Sequence, residues 1–329
     1  MIVNLFRHTQ WLSIFVLFIA STLLWSIFSF SSFEFGNPNK YGPFELLISS
    51  FVKPIFIQRL LLGLFIFAQC LYFNKIIVNQ RIISINSLFP AFFYFLILTS
   101  FPNSIQWSSI LISLVFILLA LKKILTLYLK KEAYTTIFDA ALMIGIACII
   151  HPPFIIFAPS LWIGMSIFSQ VEWRLWVLSF GGLTLPWLIF YTIVSSGIIP
   201  KLNMTYIVRA FKPLKASGFK VTTEINYGDY ITLGFLFIIV LVAIYELISG
   251  LKYKNIRARK SYILLMWMTL MGFIFIYTSH CSIFLSFICL AIPLSAIISN
   301  YFYYHKNSIW LNFLLFIFIT LILVNHLMI

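Results

Sequence analysis

Charged side chains are scarce in this sequence, where Asp, Glu, Lys and Arg together make up 9% of 329 residues. An average soluble domain carries about 25% charged residues, so this composition excludes a water-soluble surface. No polar stretch is long enough to fold as a separate soluble domain, which also excludes a globular domain on a single membrane anchor.

Carboxylates are the rarer charge, with 8 Asp and Glu against 22 Lys and Arg. In a soluble protein the resulting net charge of +14 would suggest nucleic-acid binding. Here most of the cations stand in short runs between apolar segments, where they set the orientation of a membrane protein. We therefore expect the lipid bilayer, and no nucleic acid, as the partner of this chain.

Cysteine is also sparse, and the chain has neither the CxxC spacing of a zinc site nor a disulfide framework. Four cysteines lie in or beside apolar runs and are expected to be small core residues: Cys70, Cys148, Cys281 and Cys289. No Walker lysine loop, HExxH, GxSxG or glycine-rich nucleotide motif occurs. We accordingly expect no metal and no cofactor.

Long apolar runs are what the sequence has in abundance, and 62% of its residues are hydrophobic. A helix needs about 20 apolar residues to cross the hydrocarbon core of a membrane. The runs predict an all-α, polytopic transmembrane helical bundle of about 11 spans that forms one domain over residues 1–329. The predicted spans are 11–31, 58–78, 84–100, 105–122, 137–151, 153–170, 175–196, 230–250, 261–279, 281–302 and 308–328.

The cations predict the orientation of this bundle. Cytoplasmic loops carry an excess of Lys and Arg, and the densest run, Lys252 to Lys260, falls inside if the N-terminus is inside. An odd number of spans then leaves the C-terminus outside. The long connections are two inner basic loops, 121–136 and 251–260, and two outer loops, 32–57 and the basic loop 198–229.

The two outer loops carry the candidate chemistry. Glu34 and Glu45 stand in the first, which is rich in turn residues and then apolar, as in a helix that lies on a membrane surface. Either carboxylate, Glu34 before Glu45, could act as a general base on an acceptor hydroxyl. Arg209, Lys212 and Lys215 in the second loop could hold a phosphate. Ordinary solvated surface charge is the alternative for all of them.

Three intramembrane polar residues are further candidates. Asp139 and Glu246 fall near the inner ends of spans, and a charge inside hydrocarbon is costly enough to suggest a function. Asp139 could instead pair with Lys130 or Lys131. His151 precedes two prolines at an outer boundary and is expected to face the headgroups. A transporter would need Asp139, Glu246 and His151 around one polar cavity.

The seventh span contains small residues that favour close helix packing. Gly181 and Gly182 stand together in it, and Pro186 follows. Small residues let membrane helices approach one another, and proline kinks a helix. We expect this span to contact a neighbour closely and to bend.

Three segments resemble a known family of membrane proteins: MIVNLFRHTQWLSIFVLFIASTLLW, FDAALMIGIACIIHPPFIIFAPSLWIGM and WRLWVLSFGGLTLPWLIFY. They are similar to polytopic inner-membrane proteins of Bacteroidota, over nearly the full length of the chain. The resemblance implies a multi-pass protein of the bacterial inner membrane and no particular activity.

The architecture also resembles, more weakly, the multi-spanning (GT-C-like) glycosyltransferases that use polyprenyl-phosphate sugars. Their first outer loop bears a catalytic acid, usually Asp, where this chain has Glu34 and Glu45 and no Asp. The resemblance implies a transferase that acts on a lipid-phosphate-linked sugar at the outer leaflet. Two other functions stay open, a non-catalytic subunit of an envelope or secretion membrane complex, with other membrane proteins as partners, and a transporter or flippase.

Overall fold

The protein is all-helical in the part of the chain that the structure describes. The computed structural model describes residues 2–7, 11–27, 55–83, 87–101, 108–128, 133–168, 172–196, 227–278, 283–305 and 307–327. Every regular element within these ranges is a helix, which confirms the all-α part of the predicted fold class.

Thirteen α-helices follow one another in the described ranges. They are α1 Ile2–Arg7, α2 Trp11–Ile27, α3 Ile55–Asn79, α4 Phe89–Leu98, α5 Ser109–Leu125, α6 Tyr134–Ile150, α7 Ala158–Phe168, α8 Trp173–Ser195, α9 Tyr227–Gly250, α10 Ile256–Thr278, α11 Ile283–Phe287, α12 Ala291–Tyr304 and α13 Ser308–Leu327. Short 3₁₀ helices at Pro152–Phe157, Leu251–Tyr253 and Ile288–Leu290 extend or join them.

Six helical stretches of the described chain are long and apolar enough to cross a membrane. They are Leu60–Asn79, Trp173–Ser195, Tyr227–Tyr253, Ile256–Thr278, Ile283–Tyr304 and Ser308–Leu327. Four further apolar helices are shorter, at Trp11–Thr22, Phe89–Leu98, Tyr134–Ile150 and Pro152–Phe168. The chain is therefore a membrane protein by the length and composition of its helices, while the predicted count of about 11 full spans is not confirmed.

The shortest of these apolar helices, α4, shows why counting apolar runs overestimates the spans. It has 10 residues, which rise about 15 Å, half the thickness of the hydrocarbon core. All of its residues are buried, so α4 is apolar because protein surrounds it on every side. The stretch Ile283–Tyr304 is equally central, with 94% of its span buried. The two pack together, for example through the Phe93 and Phe302 rings, whose centroids are 4.6 Å apart.

Helices α6 and α8 pack closely through a glycine. A Cβ placed on Gly182 would lie 2.7 Å from the carbonyl oxygen of Phe138 and 2.7 Å from the Cβ of Ala141, whereas one on Gly181 would meet nothing within 4 Å. The predicted close contact is thus confirmed for Gly182 and wrong for Gly181, because consecutive residues point about 100° apart around a helix and only Gly182 faces α6.

One end of the bundle holds eleven of the twelve Lys and Arg residues in the described ranges, and the twelfth, Arg59, is near the start of α3. Contacts tie this end together: Arg7 donates to the carbonyl of Tyr303 at 3.3 Å, and Arg257 donates to the side-chain oxygen of Gln80. We call it the basic end. Its cations are Arg7, Lys75, Arg81, Lys122, Lys123, Arg174, Lys252, Lys254, Arg257, Arg259 and Lys260.

The opposite end, which we call the Asp229 end, joins α4, α9 and α13. The end of α2 and the start of α3 also lie there, because these helices pack antiparallel, with Gly63 against the backbone of Ser21. Helix α8 runs parallel to α6 and so finishes at the same end. The helix ends at Ile27, Ile55, Ser195 and Tyr227 therefore share the Asp229 end.

Several predicted loop residues are helical. Helix α9 begins at Tyr227, so Asp229, predicted on the outer basic loop 198–229, lies in its first turn. The other predicted loops are shortened in the same way: α3 begins inside 32–57, α5 ends inside 121–136, and α10 begins inside 251–260. Lys and Arg favour helices, and their long side chains reach water from inside a helical turn. The position of a cation in the sequence therefore locates the end of a span only to within about a turn.

Candidate functional site

The predicted catalytic and phosphate-binding residues lie outside the described residues. Glu34 and Glu45 belong to segment 28–54, and Arg209, Lys212 and Lys215 to segment 197–226. The helix ends that border both segments are described, and they share the Asp229 end.

Asp139 forms an ion pair at the basic end. Its Oδ2 lies 2.7 Å from Lys123 Nζ, and both side chains are about 40% exposed. A lysine was expected here, but the partner is Lys123, because antiparallel packing sets the last turn of α5 beside the first turns of α6. An exposed pair of this kind contributes at most about 1 kcal/mol, so its geometry fits an interfacial anchor.

Glu246 is also paired at the basic end. Its Oε2 lies 3.3 Å from His305 Nδ1, and about a third of each side chain is exposed. The pair joins the last turns of α9 to the residue that ends α12. Glu246 therefore sits at the rim of the bundle, and no described residue encloses it in a cavity.

His151 is buried rather than facing the headgroups, so that prediction is wrong. Its side chain is 9% exposed, its Nδ1 lies 3.1 Å from Ser109 Oγ, and its ring packs against Phe154 and Phe275. Helix α6 ends just before it, because Pro152 follows and the chain turns into a 3₁₀ helix that folds the ring inward.

The three intramembrane polar candidates do not come together. Asp139 and His151 stand toward opposite ends of α6, about 18 Å apart along its axis at 1.5 Å per residue, and Glu246 lies at the basic end on α9. The described residues thus offer no shared polar cavity of the kind that the transporter hypothesis needs.

A polar cluster that sequence reasoning missed occupies the Asp229 end. Asp229 is 1% exposed, and its Oδ1 accepts a hydrogen bond from Asn325 Nδ2 at 2.8 Å. The same Nδ2 lies 3.4 Å from the carbonyl oxygen of Ser100. His326 Nε2 lies 2.8 Å from the carbonyl oxygen of Thr99. The first turn of α9, the last turn of α13 and the residues after α4 meet at this point.

Two oxygens of this cluster have no hydrogen-bond partner among the described residues: Asp229 Oδ2 and Asn325 Oδ1. No described cation forms an ion pair with Asp229. Burying a carboxylate without a compensating charge costs several kcal/mol, and each unpaired buried acceptor adds to that cost. An ionised Asp229 consequently needs a partner beyond those that the described residues supply.

The sequence did contain a signal for this cluster. Asp229 and Thr232 stand one helical turn apart at the start of an apolar run, and Asn325 and His326 interrupt the last apolar run. Polar residues inside a span face protein rather than lipid. Placing Asp229 on a loop concealed that it and Asn325 are polar residues at the same depth of the bundle.

Lys254, between α9 and α10, is a half-buried cation of the basic end. Its Nζ donates to Asn300 Oδ1 at 2.6 Å and lies 4.0 Å from the centre of the Tyr304 ring. Burial lowers the pKa of Lys254 to about 8, against a smaller opposing effect of Glu246. The densest part of the basic end is thus ordered by hydrogen bonds and ring contacts.

The described residues contain no group of three or more His, Cys, Asp and Glu that could hold a metal ion. Cys70, Cys148 and Cys289 are buried free thiols, as expected of core residues, and Cys281 lies outside the described chain. A shallow apolar groove between α2 and α3, lined by Trp11, Phe15, Phe18 and Phe67, carries no polar group for chemistry.

No protein-family model, curated protein or solved structure matches this chain.

Proposed function

We propose that the protein is a multi-pass protein of the bacterial inner membrane, with its basic end in the cytoplasm and its Asp229 end outside. Eleven of the twelve Lys and Arg residues in the described ranges lie at the basic end, and cytoplasmic connections of membrane proteins carry the excess of Lys and Arg. In this orientation α1 begins inside and α13 finishes outside, in agreement with the orientation expected from the sequence.

We further propose that it transfers a group from a lipid-phosphate-linked sugar at the outer leaflet. One observation carries this proposal: Ile27, Ile55, Ser195 and Tyr227 share one end of the bundle. The segments that hold the candidate acids and the candidate cations therefore begin and finish on the same side. A carboxylate and a phosphate-binding cluster can serve one reaction only if they share a compartment.

The proposed roles follow from the chemistry of each side chain. Glu34, or Glu45 after it, accepts the proton of an acceptor hydroxyl as the hydroxyl oxygen bonds to the sugar carbon. The bond from that carbon to the carrier phosphate breaks, and the phosphate leaves with the bonding electrons. Arg209, Lys212 and Lys215 stabilise the negative charge that grows on the phosphate.

Substitution of the acids tests this function. We expect Glu34→Gln, or the double variant with Glu45→Gln, to lower transfer from a radiolabelled polyprenyl-phosphate sugar in isolated membranes by about 100-fold or more, the usual contribution of a general base. Glu172→Gln is the matched control, because Glu172 is exposed at the basic end, where it accepts a hydrogen bond from Tyr134. Immunoblotting checks that all variants are equally abundant.

Full transfer by the double Gln variant would remove the proposed roles of Glu34 and Glu45. The wild-type protein could also show no transfer and copurify in mild detergent with a stoichiometric membrane partner. That result would favour a subunit of a membrane complex over a transferase. The transporter alternative has less support, because Asp139, Glu246 and His151 do not surround a common cavity among the described residues.

A further inference from the structure

Two hydrogen-bonded side chains at the Asp229 end each carry a buried acceptor oxygen without a hydrogen bond from the described part of the chain. Asp229 and Asn325 are each 1% exposed and are joined by the hydrogen bond from Asn325 Nδ2 to Asp229 Oδ1. Their remaining oxygens, Asp229 Oδ2 and Asn325 Oδ1, receive no hydrogen bond from a described residue. Both atoms accept and neither donates in the ionised acid and the amide, so the pair requires a positively polarised partner.

The surrounding backbone adds negative potential at the same place. Helix α4 finishes at Leu98 and α13 at Leu327, and the C-terminus of a helix carries partial negative charge on its free carbonyls. The carbonyl of Ser100 lies 3.4 Å from Asn325 Nδ2, so it is a further oxygen beside the pair. The N-terminus of α9 opposes this potential, but Asp229 itself occupies that first turn.

We propose that a monovalent alkali cation of the sodium class binds at this point, between Asp229 Oδ2 and Asn325 Oδ1. Carboxylate, amide and carbonyl oxygens are the ligands that hard cations prefer. Broken or ending helices supply such carbonyls to sodium sites inside membranes. The proposal is independent of the transferase, because none of its ligands is a candidate for the transfer reaction.

The charge of the site selects a monovalent ion. Asp229 supplies one negative charge, and no other described carboxylate lies in the cluster, because Asp139, Glu172 and Glu246 all belong to the basic end. One monovalent cation neutralises the site, whereas a divalent cation would leave a net positive charge in a buried place, at high cost. The bound ion would fix the first turn of α9 to the last turn of α13.

The test uses the purified full-length protein in detergent at constant ionic strength. We expect sodium chloride to raise the unfolding temperature saturably compared with choline chloride, because a ligand that binds only the folded state stabilises it. Asp229→Asn removes the charge and should abolish the sodium-dependent shift. Asn325→Ala removes one ligand and should weaken binding of radioactive sodium by tenfold or more. Asp139→Asn, at the basic end, should keep the wild-type response.

Equal unfolding temperatures in sodium and choline would overturn the proposal, as would a full sodium response in Asp229→Asn. If Asp229→Asn does not fold, the sodium affinity of Asn325→Ala is the test instead. An affinity equal to that of the wild-type protein would contradict the assignment of Asn325 Oδ1 as a ligand and overturn the proposal. A stability that rises with acid and ignores the cation would assign a proton to Asp229 instead and would equally overturn the sodium site.

Discussion

The two ends of the bundle hold charge in opposite ways. At the basic end Asp139 keeps 42% of its side chain exposed and pairs with Lys123. At the other end Asp229 is 1% exposed, and its one described side-chain partner is the neutral amide of Asn325. Water stabilises the first carboxylate whether or not its partner is present. The second depends entirely on what the protein, or a ligand, puts beside it.

This difference shows how each end contributes to the protein. In the proposed orientation, the exposed cations at the basic end keep that end in the cytoplasm, a role that many residues share and that single substitutions change little. The buried cluster at the Asp229 end consists of few residues from three elements, so each contact there matters individually. The Asp229 end is also where the undescribed segments 28–54 and 197–226 are attached.

The largest expected effect comes from disturbing the contact between α8 and α6, the helix that runs from one end of the bundle to the other. Gly182→Val should lower the free energy of unfolding by about 3 kcal/mol, because overpacking a tight contact costs about 1–3 kcal/mol and more when backbone is the obstacle. Here the new Cβ would meet the carbonyl oxygen of Phe138. Urea unfolding in detergent, followed by circular dichroism, measures the change.

Gly181→Val is the matched control, since a Cβ at Gly181 meets nothing within 4 Å. Both variants place the same side chain in the same helix, so differences in helix propensity cancel. Equal stability of the two variants would mean that α6 and α8 do not pack as described. The end of α8 at Ser195 could then no longer be assigned to the Asp229 end from this contact.

A direct comparison of the ends should give the next largest effect. In buffer with saturating sodium, where the proposed ion neutralises the carboxylate, Asp229→Ala removes the acceptor of a buried hydrogen bond and should cost about 2 kcal/mol in unfolding free energy, in the range for a buried group left unsatisfied. Asp139→Ala breaks an exposed ion pair and should cost at most about 1 kcal/mol. Measured in the same buffer, equal losses would show that burial does not distinguish the two carboxylates.

The smallest expected effect is a change in the titration of Lys254. Its pKa is lowered to about 8 by burial, and Glu246 opposes that shift, so Glu246→Gln should lower the pKa further. Acetylation of Lys254 followed by mass spectrometry across pH 7–11 measures it. The lowered pKa means that the folded protein disfavours the charged ammonium of Lys254. The resulting loss of stability is complete below about pH 8 and declines as the pH rises from there to the ordinary value of 10.5. A midpoint near the ordinary value of 10.5 would contradict the burial of Lys254.

Much of the fold could be predicted from the sequence, because a membrane helix is encoded locally as an apolar run. The helical class follows from such runs, and so does the presence of several helices long enough to cross a membrane. The same logic failed at α4, where an apolar run marks a short buried helix rather than a span. Apolarity alone does not distinguish lipid from protein as the neighbour of a helix.

The site was less predictable, because its contacts join residues that are far apart in the chain. Asp229 and Asn325 are separated by 96 positions, and nothing in their local patterns pairs them. Lys123 reaches Asp139 across antiparallel helices, whereas sequence proximity favoured Lys130 or Lys131. His151 preceded two prolines and was expected at the surface, but the turn that the prolines impose folds its ring inward.

We propose that the two ends of the bundle face different compartments and that residues 45 and 212 lie on the side of the Asp229 end. Single cysteines at residues 45, 212 and 253 test it directly. The three variants are Glu45→Cys, Lys212→Cys and Tyr253→Cys in a Cys281→Ser background, because the other native thiols are buried. Tyr253 is 93% exposed at the basic end, so a thiol there is open to reagent once the membrane is broken.

The measurement is labelling by a membrane-impermeant maleimide in cells with a permeabilised outer envelope, before and after lysis. We predict that the thiols at 45 and 212 react in intact cells and that the thiol at 253 reacts only after lysis. Labelling of 45 and 212 from opposite sides of the membrane, or of 253 from the same side as both, would contradict the account.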